Sequence, residues 1–254
     1  MCETYEPVLL ERRVNQVKKK TGRQDLRSKL DPCVSTRDVF IRAIIRPSKM
    51  LILSPIVLVT SIYMALVLGY LYLLFTTLTQ VFQATYGFSQ GTVGLTYLGL
   101  GIGSLIGLLL FATFSDRLIA KLSKSGEMKP EYRLFPLILG SLFIPIGLFW
   151  YGWSAQKKMF WIMPIIGTGW IGFGMLATLI PIQIYLIDGF TRQAASALAA
   201  NMVLRSLVGA FLPLAGPKMY AALGLGCGNS LLAFIALAMA PITWISTGMA
   251  SRSG

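Results

Sequence analysis

The sequence predicts an all-α membrane protein, a bundle of six helices, and three observations lead there. The chain of 254 residues is 55% hydrophobic and 13% charged, with a mean hydropathy of +0.66, too apolar and too sparsely charged for an ordinary soluble domain. Its apolar residues are gathered into six runs, each meeting the roughly 20 residues that a bilayer core requires. Those runs lack the alternation of barrel strands, and hydrocarbon admits only helices or closed barrels, because unpaired backbone groups are too costly there.

In chain order, residues 1–49 form a basic cytoplasmic segment. No amino-terminal signal peptide is evident: Met1 is followed by Cys2-Glu3-Thr4-Tyr5 and a mostly polar stretch, so insertion is expected to rely on an internal span. Residues 11–30 are charge-rich, contain few apolar side chains, and read as flexible chain. Ser35-Thr36-Arg37-Asp38 has the pattern of a capping box, and Val39, Phe40, Ala43 and Ile44 make an apolar face ahead of Pro47. Two readings fit: an interfacial helix with Arg37, Arg42, Arg46 and Lys49 among anionic headgroups, or a plain charged linker.

The expected spans are 50–80, 92–114, 134–153, 160–187, 194–223 and 230–248, a bundle over 50–248 followed by a cytoplasmic tail at 249–254. The first carries Tyr63, Tyr70, Tyr72, Phe75, Thr76, Thr77 and Gln80, with Tyr63, Tyr70 and Thr77 at seven-residue spacing along one face. In the second, Gly99, Gly103 and Gly107 form a doubled GxxxG, with Gly101 as another small surface, and close helix contact is expected. The fourth has Gly167, Gly169, Gly172 and Gly174, then Pro181, Gln183 and Tyr185; the fifth has Asn201, Arg205, Gly209, Pro213, Gly216 and Pro217. Glycine and proline this dense permit bends, which suit helices that rock between two states but also occur in static bundles. Aromatic and amide groups at these depths suit a greasy pocket with a few polar anchors, although packing is the plain reading of any one of them.

Orientation follows from charge. Arg12, Arg13, Lys18, Lys19, Lys20, Arg23, Arg27 and Lys29 precede the first span, and Arg117, Lys121, Lys124, Lys129 and Arg133 follow the second. Arg192 follows the fourth and Arg252 lies in the tail, whereas the opposite loops hold only Lys157 and Lys158, with Lys218 inside the fifth run. Basic connections stay inside, so both termini are expected in the cytoplasm. Tyr151, Trp153, Trp161, Tyr220 and Trp244 near span ends read as interfacial belt residues. The net charge of +13 is explained by this topology, and nucleic-acid binding is not expected.

Chemistry inside the membrane is narrowly bounded. Cys2, Cys33 and Cys227 are far apart without CxxC spacing, and there is no histidine, so no metal or cofactor is expected and Cys227 reads as a small packing residue. Arg205 lies eleven residues after Ala194, roughly 16 Å along a helix and near the middle of a core about 30 Å thick. A cation there is expected to face a cavity or a partner. Every acidic residue lies outside the apolar runs, with Asp188 at a helix end, so the chain has no membrane-depth carboxylate or imidazole to relay protons. Enzymatic chemistry is therefore not expected.

These residues resemble a known family. Glu3-Thr4-Tyr5 with Pro7-Val8-Leu9-Leu10 is similar to the junction after the sixth helix of fungal drug:proton antiporters of the major facilitator superfamily. Gly69-Tyr70-Leu71-Tyr72-Leu73-Leu74-Phe75-Thr76-Thr77, Gly94-Leu95-Thr96-Tyr97-Leu98-Gly99, Pro130-Glu131-Tyr132-Arg133-Leu134 and Gln183-Ile184-Tyr185-Leu186-Ile187-Asp188 match as well. So do Ala194-Ala195-Ser196-Ala197, Leu204-Arg205-Ser206-Leu207 and Gly228-Asn229-Ser230-Leu231, and the likeness covers nearly the whole chain.

The resemblance implies the second six-helix half of a twelve-helix fold. It also implies alternating access and the export of small hydrophobic compounds, drugs or secondary metabolites in exchange for protons across the plasma membrane. Substrate-path candidates are Tyr70, Tyr72, Thr77, Gln80, Gln183, Tyr185, Asn201 and Arg205. Ser115-Asp116-Arg117 with Lys121 is similar to the superfamily's cytoplasmic gating motif, with Ala112 where that motif has glycine, and Arg117 is expected to bridge to Asp188. The expected partners are the lipid bilayer, a small hydrophobic substrate, protons when complete, and a missing amino-terminal half or a second copy. The alternative is a non-transporting half that serves as a membrane assembly partner.

Overall fold

The computed structural model describes residues 13–14, 16–18, 45, 47–123, 135–190 and 193–250, with side chains for all of these except 114–123, 135–136, 138–139 and 240–250. The chain divides into two compact units, Met1–Ile45 and Arg46–Gly254. In the first, residues 13–14, 16–18 and 45 are helical. The rest of the expected flexible segment and interfacial helix lies outside the described residues.

In the second unit, helix α1 spans Pro55–Tyr86, with Pro55 in the first turn, where a missing N–H breaks no bond. It continues six residues beyond the expected limit at 80 and stops at Gly87, whose φ of 68° is the left-handed turn that glycine adopts without strain. Ser89 then opens the short α2, Gln90–Val93, by accepting the Thr92 N–H at 3.4 Å. A 3₁₀ turn, Gly94–Thr96, leads into α3, Tyr97–Ser123.

Helix α4 spans Phe135–Gln156 and α5 spans Ile162–Gly189, each running on through an internal proline, Pro145 and Pro181. Past α4, the Lys158 N–H bonds the Ala155 carbonyl and the Met159 N–H bonds the Ser154 carbonyl, a Schellman closure with Lys158 at φ 49°.

The last helix, α6, spans Ala194–Ala250 and is broken at Gly224 (φ 76°, ψ 170°). The sequence suggested a loop over 224–229. Instead one residue makes the turn and the second limb is helical at once. The glycines that look like linker serve as space: a Cβ at Gly226 would meet Gln156, and one at Gly228 would meet Tyr220 and Met219.

Side-chain pairings fix the directions of the helices. Along α1 and the first limb of α6, Met64 meets Asn201, Tyr72 meets Gly209 and Leu73 meets Gly216, so these two run parallel. Tyr220 bonds Asn229 across the Gly224 break at 3.1 Å, a separation in sequence that a continuous helix would hold about 13 Å apart, so the second limb doubles back. That limb runs antiparallel to α4, with Phe149 against Phe234 and Trp153 bonded to Ser230.

Helix α5 is the central rod of the other layer. It lies antiparallel to α4, with Gly140 against Ala177 and Gly147 against Ile171, and parallel to α3, with Gly99 against Ile165 and Gly107 against Phe173. Directions thus alternate along the chain. The turns at 87–89, 157–161 and 224 gather at one end: the Phe88 and Trp161 rings are 6.0 Å apart, and Gln156 Oε1 accepts the Gly226 N–H at 2.5 Å.

Glycine decides how closely these rods approach. A Cβ on Gly103 would fall on the Gly169 backbone, and Gly99 and Gly107 are pressed against Ile165 and Phe173. On α5, Gly172 receives Leu100 and Ser104 of α3, while Gly167 and Gly174 receive Tyr151 and Ile144 of α4. Gly101, expected as another contact surface, has nothing within 4 Å.

Among the described residues, Pro55–Tyr86, Gln90–Thr113, Ile162–Gly189 and Ala194–Met239 are long and apolar enough to cross a bilayer. Their outer faces carry large apolar side chains such as Leu98, Ile102, Leu109, Phe211 and Leu214, a surface suited to hydrocarbon. Trp153 and Trp161 are exposed as expected, but Tyr151 is fully buried, because Gly167 lets its backbone sit against α5. Cys227 is exposed, not packed, because Gly226 and Gly228 take the inward positions of the second limb. The Trp244 side chain lies outside the described residues.

Candidate functional site

The seam between α1 and the first limb of α6 gathers membrane-depth polar groups. Helical spacing divides α1 into two faces. Tyr63, Tyr70 and Thr77 share one face, as their seven-residue spacing suggested, and that face is buried. The Tyr70 hydroxyl donates to the Leu232 carbonyl at 3.1 Å, and Thr77 Oγ1 donates to the Leu73 carbonyl at 2.7 Å. Both groups are therefore engaged inside the bundle. Four residues apart on the outer face, Tyr72, Thr76 and Gln80 are exposed. Thr76 Oγ1 donates back to its own helix, at 2.9 Å to Leu73, which leaves Tyr72 and Gln80 as the side chains presented outward.

Across the seam, Asn201, Arg205 and Gly209 succeed one another at four-residue intervals and share one stripe of α6. Asn201 is 3% exposed; its Nδ2 donates to Met64 Sδ at 2.8 Å, while its Oδ1 has no partner among the described residues. The absence of a side chain at Gly209 makes room for the Tyr72 ring, and Gly216 does the same for Leu73. Arg205 lies between those contacts and is half-buried.

The other candidates fall elsewhere. Gln183 is half-buried and Tyr185 buried on α5, which packs mainly on α3 and α4 and less on α1 and α6. Asp188 is half-buried in the last turn of α5. Since Gly107 meets Phe173, the parallel register puts the backbone of Asp116 level with about residue 182, at the same end of the bundle as Asp188. The side chains of Asp116, Arg117 and Lys121 lie outside the described residues.

Sequence reasoning missed two residues that organise the neighbourhood. Tyr97, the first residue of α3, reaches back to α1, where its hydroxyl donates to the Phe75 carbonyl and lies 2.9 Å from Thr79 Oγ1. Gln156, the last residue of α4, clasps the start of the second limb of α6. Their signal is weak because each is a single polar residue at a helix end, outside any periodic pattern.

Apolar helices of alternating direction, with polar groups along one internal seam, define an all-helical membrane bundle. The chain belongs to the major facilitator superfamily, whose pattern it matches over residues 7–213. It is 57% identical over 247 residues to the MFS-type transporter penM of Penicillium rubens, covering 96% of this chain and 49% of that protein. It is 55% identical over 246 residues to the MFS transporter cpaT of Aspergillus oryzae, covering 95% and 49%, and 55% identical over 245 residues to the MFS-type transporter atr4 of Stereocaulon alpinum, covering 96% and 44%. The chain spans about half the length of these relatives. No solved structure matches it.

Proposed function

We propose that the chain is the carboxy-terminal half of a membrane exporter of small hydrophobic compounds, drugs or secondary metabolites, working by proton-coupled alternating access when joined to an amino-terminal half. The observation that carries this reading is the uncovered Tyr72 and Thr76 on α1, with Arg205 level with residue 68 across the seam, at a depth where isolated polar groups are disfavoured unless a path or a partner uses them. Relatives named as transporters support the same class. Six crossings with both termini in the cytoplasm of a plasma-membrane protein complete the reading. The gate would lie at the end that holds Asp116, Arg117, Lys121 and Asp188. This chain has no acidic or imidazole group within its apolar runs, so the proton-coupling group belongs to the other half.

Co-expression with the amino-terminal half of the Penicillium relative tests the proposal, with energy-dependent efflux of lipophilic dyes as the readout. Efflux is expected with both halves and not with this chain alone. Both halves present in the membrane without efflux would favour a non-transporting assembly partner. In the active pair, Arg205→Ala is expected to abolish efflux without altering insertion; normal efflux would remove Arg205 from the path. A tag placed between Trp153 and Phe160 is expected to be accessible on intact cells.

A further inference from the structure

We infer that the α1–α6 seam recognises lipophilic organic anions, with Arg205 as the residue that reads the charge; this rests on the substrate-path reading and names the substrate class. The first observation is depth. Asn201 meets Met64 and Gly209 meets the Tyr72 ring, so Arg205, midway between them, is level with residue 68 of α1. Helix α1 runs from Pro55 to Tyr86, which places residue 68 close to its midpoint. The structural register therefore sets the Arg205 backbone near mid-height of α1, independently of where the first limb begins.

The second observation is that this chain supplies no counter-charge at that depth. Only four acidic residues follow residue 50, namely Asp116, Glu127, Glu131 and Asp188, and all lie outside the apolar runs. Among the described residues no carboxylate pairs with Arg205. The guanidinium is a permanent cation, and placing a cation within a membrane helix is unfavourable. A ligand that brings a carboxylate, sulfonate or acidic enolate offsets that penalty through charge-assisted hydrogen bonds, while a neutral ligand leaves it standing and a cation adds to it.

The third observation is what lies one helical turn along, where Tyr72 packs on Gly209. Tyr72 is 44% exposed and offers a ring face and a hydroxyl with no partner among the described residues, suited to an aromatic or alkyl body with an acceptor. Asn201 offers the anion little, since it is buried, one of its two amide N–H groups is on Met64 and its oxygen is an acceptor. Charge recognition therefore falls to Arg205.

The test uses two probes with one aromatic body, 8-anilino-1-naphthalenesulfonate and the uncharged N-phenyl-1-naphthylamine, titrated by fluorescence against this chain in nanodiscs of phosphatidylcholine, with empty discs subtracted. The anion is expected to bind at least about tenfold more tightly than the neutral probe. Arg205→Gln should remove that preference and leave binding of the neutral probe unchanged, and Arg205→Lys should keep part of it. An anion preference that survives in Arg205→Gln overturns the inference, as does equal binding of both probes by the unaltered chain. Loss of the neutral probe in Arg205→Gln also overturns it, by making the residue structural. Saturable binding of neither probe to the unaltered chain would overturn the substrate-path reading itself.

Discussion

The α3–α5 and α1–α6 seams join parallel helices of similar length, yet they are held together by different physics. Between α3 and α5 the contacts are steric: Gly99, Gly103 and Gly107 bring the backbones together, and the outer edge opens into an apolar cavity of about 540 Å³ lined by Ile102, Ile106, Ile166 and Trp170. Between α1 and α6, glycine accommodates ring and alkyl side chains, and polar groups meet across the gap. Lipid tails are as apolar as leucine, so no hydrophobic drive joins helices within a bilayer and only close fit or polar pairing does. One seam is consequently steric and apolar, whereas the other carries polar side chains along its length.

The largest expected effect lies in the steric seam. Gly103→Leu would drive a side chain onto the Gly169 backbone, which cannot move aside, and is expected to destabilise the bundle by about 3 kcal/mol or more. Gly101→Leu, two residues away and facing open space, should change stability by no more than about 0.5 kcal/mol. Melting midpoints of the two variants in detergent, read by tryptophan fluorescence, check this. Equal loss in both would mean that the Gly103 contact does not set the stability of this seam.

Next in size is the turn that lets the second limb of α6 leave the polar seam and pack on α4. Gly224 has φ 76° and ψ 170°, a region essentially restricted to glycine, so Gly224→Ala is expected to cost about 1–3 kcal/mol. At the neighbouring turn, Lys158 takes the left-handed position of a Schellman closure, φ 49°, without glycine's freedom. Lys158→Gly should therefore stabilise, by roughly 1 kcal/mol. The same melting assay reads both, and opposite signs are the expected outcome.

These contrasts show what the sequence could and could not disclose. Apolar run length and the GxxxG spacing made the helices and the α3–α5 contact legible, because both depend on local composition. The extent of α1 was less so: Gln83 and Thr85 look like the end of a span, but the helix continues to the left-handed Gly87. The glycines at 226 and 228 read as loop because a single sequence does not reveal that Gln156 and Tyr220 come from elsewhere to fill their space. The candidate residues of α1 were visible, yet their division between buried Tyr70 and exposed Tyr72 depends on which neighbours α6 brings.

That division supports the finest prediction. Tyr70 donates to the Leu232 carbonyl within the bundle, and hydrogen bonds between membrane helices average only about 0.6 kcal/mol, so Tyr70→Phe should lower stability by about that amount and leave probe binding unchanged. Tyr72→Phe removes a hydroxyl that bonds nothing among the described residues. It should leave the melting midpoint unaltered while weakening binding of the naphthalenesulfonate probe about two- to fivefold, as expected for loss of one modest hydrogen bond. The two tyrosines are two residues apart on one helix, so local chemistry is nearly the same for both. If both variants changed stability alone, or both changed binding alone, the division of α1 into a structural face and a ligand face would fail, because only that division predicts opposite readouts.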